Sequence, residues 1–548
     1  MSRKYTVVFS ILVAIQLLLL LYYMNIRTSL FYDEIWSYGL ANSYDSPFLY
    51  ENGFYRDKGN TFFNHWVDGR KFFEYITVQP NECFSYNKVY DNQMADLHPP
   101  LYYILLHTIC SFFPDTFNRW HGQIICLIVF IFVQISLYKL SKQLFEEDLM
   151  AFFMCAYFGF SMAAVNNFIY IRMYCLVTLW YICITHIALK ICKDNQIKKL
   201  NGWLLFVFGF LGFMTHNHFA VYYFCLCIGC GAYFIGQKNY NTLWRFAIIA
   251  LLSFGAYFSI FPGIFKQATS LNYGKMCGGI LGAFPVKTLL ANMVMICNYT
   301  FAASIDKFFL WAADIVHLIG ENISFLPVWL FLLIATFLEV FWVYKHKNDS
   351  RWIILAQAVS LYIVIISSYT FLIRSSIYLG RYLFSILPCF ALLVYAAIYR
   401  FITLLKSVKY NKHIFFCFMI IMALSTHYAS VGEWCYDIPP DREEIAERFR
   451  DATIIYAVEP DNLTDPLIHG KCQDFMFTRR VFPTRVTDID EIFKAILECN
   501  PNDKNLIVLP ANDSGKKIFK AFPLLINKQP IYEFTDNTNV CSFYVLSF

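Results

Sequence analysis

A chain of 548 residues that is 58% hydrophobic and only 15% charged is too greasy for a soluble globular protein, in which about a quarter of the residues carry charge. Its formal charge of +5 is small for this length and gives no basic field for nucleic acid. The 57 phenylalanines and 38 tyrosines suit helices packed in lipid with aromatic belts at the interfaces.

The first segment, YTVVFSILVAIQLLLLLYYMNI, follows a short basic start at Arg3 and Lys4 and ends without a small-residue cleavage site. It predicts a retained transmembrane helix with a cytoplasmic N-terminus. Further apolar runs of spanning length begin near residues 122, 149, 174, 202, 219, 244, 325, 352, 378 and 413, for a total of about eleven spans. With the N-terminus inside, the inner loops carry Lys139 and Lys142, then Lys190, Lys193, Lys198 and Lys199, then Lys238 and Arg245. Later inner loops carry Lys345, Lys347 and Arg351, and finally Arg400, Lys406, Lys409 and Lys412. Every predicted cytoplasmic loop is thus basic, as the positive-inside rule requires.

Two outer segments are too long for connectors. Residues 28–120 contain PPLYYILLHTICSFFP, which is short for a span and reads as an interfacial or re-entrant helix. Residues 263–323 include the Gly-rich YGKMCGGILGAFP, and long loops of this kind tend to be lids or binding elements. From about residue 432 the chain turns polar: DREEIAERFR predicts a charged helix, and TIIYAV, LIVLP and CSFYVLSF predict short buried strands. An odd number of spans places this tail outside the cytoplasm, as a small α/β domain over residues 432–548 behind a membrane domain over 1–431. There Cys435, Cys472, Cys499 and Cys541 are candidates for disulfides in an oxidising compartment, with pairing left open. Most other cysteines lie in apolar runs such as YFCLCIGCGAYF and read as packing residues. The tail shows no catalytic constellation and reads as a recognition element or a structural cap.

The chemistry-bearing residues gather at one predicted face. Asp33 and Glu34, in FYDEIWSYGL, stand at the outer mouth of the first span. They either stop that span or do chemistry there. Asp96 and His98, in ADLHPPLYY, precede a double proline, which suits a rigid helix entrance; a helix cap is the plainer role for Asp96. Arg172 and Tyr174 lie in YIRMYCL, and Arg374, Arg381 and Tyr382 in FLIRSSIYLGRYLFSILP, again at outer junctions. Ionisable groups at such depth are costly unless paired or lining a polar cavity, and the guanidinium fork matches a phosphate. His216 and His218, in THNH, stand open as phosphate donors, proton relays, metal ligands or simple interfacial histidines. Acids beside phosphate-binding arginines suit a reaction on a lipid-linked phosphate. One acid takes a proton from a hydroxyl or amine as it attacks an anomeric carbon, and the arginines stabilise the departing phosphate.

Taken together, YDEIWS, DLHPPLYY, IRMYCL, THNH and GRYLFSILP resemble the polytopic GT-C glycosyltransferases. The likeness is strongest to the protein O-mannosyltransferase and aminoarabinose-transferase superfamily (glycosyltransferase family 39-like) in its bacterial branch, and it covers roughly residues 1–430. The resemblance implies a GT-C helical bundle and Asp33 as catalytic base with Glu34 beside it. Asp96 would be the second acid of the first outer loop, and His98 part of the entrance motif. It also implies donor-phosphate contacts from Arg172, Tyr174, Arg374, Arg381, Tyr382, His216 and His218. A divalent metal is an open option, with Asp96 and His216 as its ligands. The implied partners are a polyprenyl-phosphate sugar, an extracytoplasmic acceptor and the lipid bilayer of the cell membrane. The chain lacks the β-trefoil insert of eukaryotic protein O-mannosyltransferases and has only a short tail, so a glycan or lipid acceptor stands level with protein. The alternative of another class is a transporter or flippase of polyprenyl-linked glycans or lipids. It would favour internal repeats and polar residues near the bilayer midplane, and neither is visible in the sequence.

Overall fold

The computed structural model describes residues 3–27, 29–43, 63–96, 98–263, 350–372, 379–404, 411–429, 442–458, 472–522, 526, 529–536 and 539–546. Helices run over Arg3–Ile26 (α1), Tyr32–Asn42 (α2), Gly69–Ile76 (α3), Tyr86–Ala95 (α4), Leu101–Ser111 (α5), Trp120–Phe145 (α6), Asp148–Gly159 (α7), Met162–Ile169 (α8), Tyr174–Asp194 (α9), Lys199–Phe213 (α10), His218–Gly236 (α11) and Tyr240–Ile260 (α12). They continue with Ser350–Leu372 (α13), Leu379–Leu383 (α14), Leu387–Leu404 (α15), Asn411–Ala429 (α16), Arg442–Arg448 (α17), Cys472–Phe475 (α18), Ile489–Leu497 (α19) and Asp513–Ala521 (α20). Strands cover Val67–Asp68 (β1), Thr453–Val458 (β2), Arg480–Arg485 (β3), Asn505–Pro510 (β4), Tyr532–Asp536 (β5) and Asn539–Val545 (β6). The protein is therefore a helical polytopic membrane protein with a small α/β element. Its two compact units are Met1–Tyr23, Leu97–Tyr102 and Gln123–Cys435 in the first, and Met24–Asp96, Tyr103–Gly122 and Tyr436–Phe548 in the second.

The first unit holds the membrane helices. Among the described residues seven helices are long and apolar enough to span, and α7 with α8, together apolar enough but bent by 62°, form either a broken span or a re-entrant loop. Two further runs expected to span are shorter: α10 has 15 residues, about 22 Å against a hydrocarbon core of about 30 Å, and the apolar part of α16 covers Ile414–His427. The span expected near 325 lies outside the described residues, as does all but the start of the second long outer segment. The α7–α8 break survives because side chains take over its freed backbone groups. Ser161 Oγ donates to Phe158 O at 2.7 Å, and Thr426 Oγ1 accepts from Met162 N at 2.9 Å. His427 Nε2 meets Phe160 O at 2.6 Å, while its Nδ1 bonds Tyr23 at 2.7 Å. The turn from α10 to α11 is tight because Gly212 leaves room: a Cβ there would sit 2.3 Å from the Phe219 ring.

In the second unit, the three strands expected in the tail appear as β2, β4 and β6, and the charged helix as α17. The sheet is not built from the tail alone, however. β1 comes from the first outer segment and completes a six-stranded sheet of order β1-β3-β2-β4-β6-β5. β1 is antiparallel to β3 (Val67 opposite Val481), while β3, β2 and β4 are parallel, with Ile454 opposite both Val481 and Leu506. β6 runs antiparallel to β4 and β5. The central strands are buried throughout because helices cover both faces. Ile455, Ala457, Ile507 and Leu509 pack with Ile492 and Ile496 of α19 and Ile518 of α20. On the opposite face Tyr456 meets Phe475 at 5.4 Å, and Phe475 meets Phe72 of α3 at 5.6 Å. Cys472 and Cys499, two of the disulfide candidates, are buried free thiols. Burial pushes Cys499 up to about 11 and Cys472 well above its usual value, so both stay protonated and unreactive. Cys435 and the Cys541 side chain lie outside the described residues.

Candidate functional site

The exit of α1 belongs to the second unit, and arginines tie it down. Arg119 donates through Nη1 to Met24 O at 2.9 Å and also to Arg27 O, so it satisfies carbonyls that the end of α1 would leave open. Arg27 in turn grips Glu34 bidentately: Nη1 lies 2.9 Å from Oε1, and Nη2 bonds Oε2. Both side chains are almost fully buried, at 1% and 0% exposure. Glu34 Oε2 also accepts the Phe31 N–H at 2.7 Å, the reach-back of a residue at the third position of a helix to its N-cap. Glu34 is thus committed to holding the start of α2. Asp33 sits one residue earlier in the same first turn, 2% exposed, where the helix dipole favours a carboxylate.

Two neighbours fix α2 from its other end. Asn92 Nδ2 donates to Leu40 O at 3.1 Å and Ser43 O at 2.8 Å, which caps α2 from α4. Gly39 admits Tyr75 of α3 so closely that a Cβ would fall 2.0 Å from the ring. Asp96, a candidate acid whose plainer role was a cap at the start of the proline-led helix, ends α4: its N–H donates to Asn92 O at 2.9 Å. A carboxylate at a helix C-terminus faces the negative end of the dipole, so dipole capping does not account for its acidity.

The first unit gathers the other candidates. Arg172, 3% exposed, lies in the α8–α9 turn, and Tyr174 is the first residue of α9. His216 lies in the α10–α11 turn and His218 opens α11, while Arg381 and Tyr382 belong to α14. His98 precedes the two prolines, and Leu101 N–H bonds Met214 O at 3.0 Å, which pins the start of α5 beside the α10–α11 turn. The rings form a continuous set. His216 lies 4.5 Å from His218, 5.3 Å from Tyr174 and 5.9 Å from His98; Tyr382 lies 4.8 Å from His218 and 6.3 Å from Tyr174. The Arg381 guanidinium stands 5.2 Å above the Tyr382 ring, a cation–π pair. Tyr362 OH donates to Tyr382 O at 2.8 Å and steadies that segment. Arg374 lies outside the described residues.

His216 has a defined tautomer. Its Nδ1 accepts the His218 backbone N–H at 2.9 Å, so Nε2 carries the proton of the neutral ring. That buried N–H has no partner among the described residues. Burial, and then neighbouring His218, His98 and Arg172, push the His216 pKa well below imidazole's ordinary range, so the ring is a neutral donor. Arginine forks with a neutral N–H donor and aromatic faces make a chemical environment for an oxyanion on a lipid-like ligand. Among the described residues no group of three or more His, Cys, Asp or Glu side chains comes close enough to hold a metal ion.

Sequence reasoning overlooked Arg27 and Arg119. A signal was present: both stand on the predicted outer side, where the positive-inside rule disfavours arginine, so each needed a specific partner. No protein-family model matches the chain, and no curated protein matches it. Among solved structures it is similar to ArnT from Cupriavidus metallidurans bound to undecaprenyl phosphate, at 9% identity and a TM-score of 0.41, over 100% of this chain and 98% of that one. A likeness of that degree is too loose to assign a family.

Proposed function

We propose that this protein is an integral membrane glycosyltransferase of the GT-C type that moves a sugar from a polyprenyl-phosphate donor to an acceptor outside the cytoplasm. One observation carries the reading. Residues from four separated segments, His98, Arg172 with Tyr174, His216 with His218, and Arg381 with Tyr382, converge at one end of the membrane unit. A transporter would place its costly polar groups near the bilayer midplane. Here they stand at helix starts.

In this reading Arg172 and Arg381 bind the donor phosphate, and His216 Nε2–H donates to one of its oxygens. Tyr174, His218 and Tyr382 wall the site. Asp33 is the general base: it takes the proton from the acceptor hydroxyl or amine as that group attacks the anomeric carbon. The bond from the anomeric carbon to the phosphate oxygen breaks, and polyprenyl phosphate leaves with its charge held by the arginines. Glu34 is a positioning residue, since Arg27 and the Phe31 N–H occupy its carboxylate. Asp96 is a second acid for acceptor or metal. The N-terminus is cytoplasmic and the tail faces outward, on the strength of the basic inner loops.

The test uses purified protein in nanodiscs with radiolabelled polyprenyl-phosphate sugars and cell-surface acceptors. Loss of label from the lipid that vanishes in Asp33→Asn supports the proposal. Binding without cleavage by the wild type would move the transporter reading ahead, and neither binding nor cleavage would refute the donor assignment.

A further inference from the structure

The opposite end of the membrane unit holds a second polar centre that the proposed reaction does not use. α9 runs from Tyr174, in the cluster above, to Asp194, a rise of about 30 Å. At its far end a cavity of about 1040 Å³ opens between α1, α6 and α9, at the top of the usual range for ligand pockets. One part of its wall is apolar, with Phe9, Val13, Leu17, Ile131 and Ile135. The other part carries Lys139, Lys142, Lys190, Lys193 and His186, with Glu146 and Asp194.

The charges do not cancel locally. Lys193 pairs with Glu146 at 2.8 Å, and Arg351 shares that carboxylate at 3.3 Å. Lys142 pairs with Asp148 at 2.7 Å, and Asp194 is taken by Lys198 at 2.8 Å. Both acids of the cavity are therefore spent, while Lys139 and Lys190 form no ion pair among the described residues. Two uncommitted cations thus stand over an apolar slot. Its outer wall, α1, is peripheral: Val7, Ile11 and Ile15 on the other side of that helix are 55%, 55% and 49% exposed, so the apolar slot lies next to lipid-facing surface.

We infer that this cavity binds one anionic phospholipid of the cytoplasmic leaflet, its phosphate between Lys139 and Lys190 and its acyl chain along α1. The apolar wall beside the lipid-facing side of α1 favours a lipid over a soluble anion, and the two lysines favour an anionic headgroup over a zwitterionic one. Basic pockets between spans on the cytoplasmic side recognise such headgroups.

Full-length protein in detergent would be titrated with phosphatidylglycerol, with phosphatidylcholine and with inorganic phosphate, and bound lipid counted by native mass spectrometry. Preference for phosphatidylglycerol is expected to fall about fivefold in Lys139→Gln and about thirtyfold in Lys139→Gln/Lys190→Gln. Lys199→Gln/Lys238→Gln, which removes as much charge away from the cavity, should leave it unchanged. Equal binding of both lipids by the wild type, full competition by inorganic phosphate, or equal losses in the two double variants would overturn the inference. A photoreactive phosphatidylglycerol applied to the wild type gives a readout free of folding effects. Labels on α1, α6 and α9 around the cavity support the site, and labels confined to other helices refute it.

Discussion

Arg27→Met isolates the contact that holds the first acid pair in place. Arg27 and Glu34 are buried to 1% and 0% exposure and share two charge-assisted hydrogen bonds. Removing the guanidinium strips the buried carboxylate of its two charge-assisted bonds and keeps the Phe31 N–H at 2.7 Å. Losing one partner of such a pair costs about 3–5 kcal/mol. For a folding unit of this size that corresponds to a fall in Tm of about 6–20 °C, to be read by tryptophan fluorescence on purified protein. Glu34→Gln in the same background removes the stranded charge and keeps the N-cap bond, so the double variant Arg27→Met/Glu34→Gln should recover much of the loss. If Arg27→Met costs under about 1 kcal/mol, or if the two substitutions simply add, Glu34 does not depend on Arg27 and is released for a direct catalytic role.

Arg381→Ala should weaken binding of a polyprenyl phosphate by about 10- to 150-fold, the loss of one charged hydrogen bond. Arg381→Lys should restore only part of that, since it keeps the charge but not the fork; unchanged affinity in the alanine variant would remove Arg381 from the site. Folding lowers the His216 pKa, so as pH falls the unfolded chain takes up this proton first. Its contribution to stability is complete above about pH 6.5 and drains away below it. His216→Gln should therefore flatten the acid side of the stability profile, and an identical profile would show that the ring is not held neutral. Truncation after residue 431 removes the strand that β1 pairs with and the Phe475 ring against Phe72. Limited proteolysis should then cut rapidly within residues 63–96 and spare α6–α12, and unchanged protection of that loop would mean it folds without the tail.

Much of this architecture is local information. A run of about twenty apolar residues is a span wherever it lies, because lipid demands that backbone groups bond within the segment. α1, α6, α9, α11, α12 and α13 accordingly start close to where the apolar runs begin. β2, β4 and β6 were legible for the same kind of reason, as short β-rich runs between turn residues. β3 was not, since Pro483 sits in its middle and proline argues against a strand. It is tolerated there because β1 pairs only with Arg480 and Val481, and the Pro483 carbonyl takes the Asn64 N–H at 2.8 Å beyond that ladder. The bend between α7 and α8 was hidden too, because the groups that support it, Thr426 and His427, lie more than 260 residues further along.

The sequence by itself determined which segments are long and apolar enough to enter lipid, and that a polar α/β tail follows. These follow from hydropathy, charge cost and periodicity, which each segment carries within itself. Only the tertiary structure decided that Glu34 is bound by Arg27 while Asp33 lies beside it in the same turn, that Asp96 ends one helix instead of beginning the next, and that the first outer segment lends a strand to the tail. It also decided that His216 presents its Nε2 proton and that Lys139 and Lys190 form no ion pair among the described residues while their neighbours are neutralised. Each of these depends on which distant group arrives at hydrogen-bond distance, and that is set by packing between segments far apart in the chain.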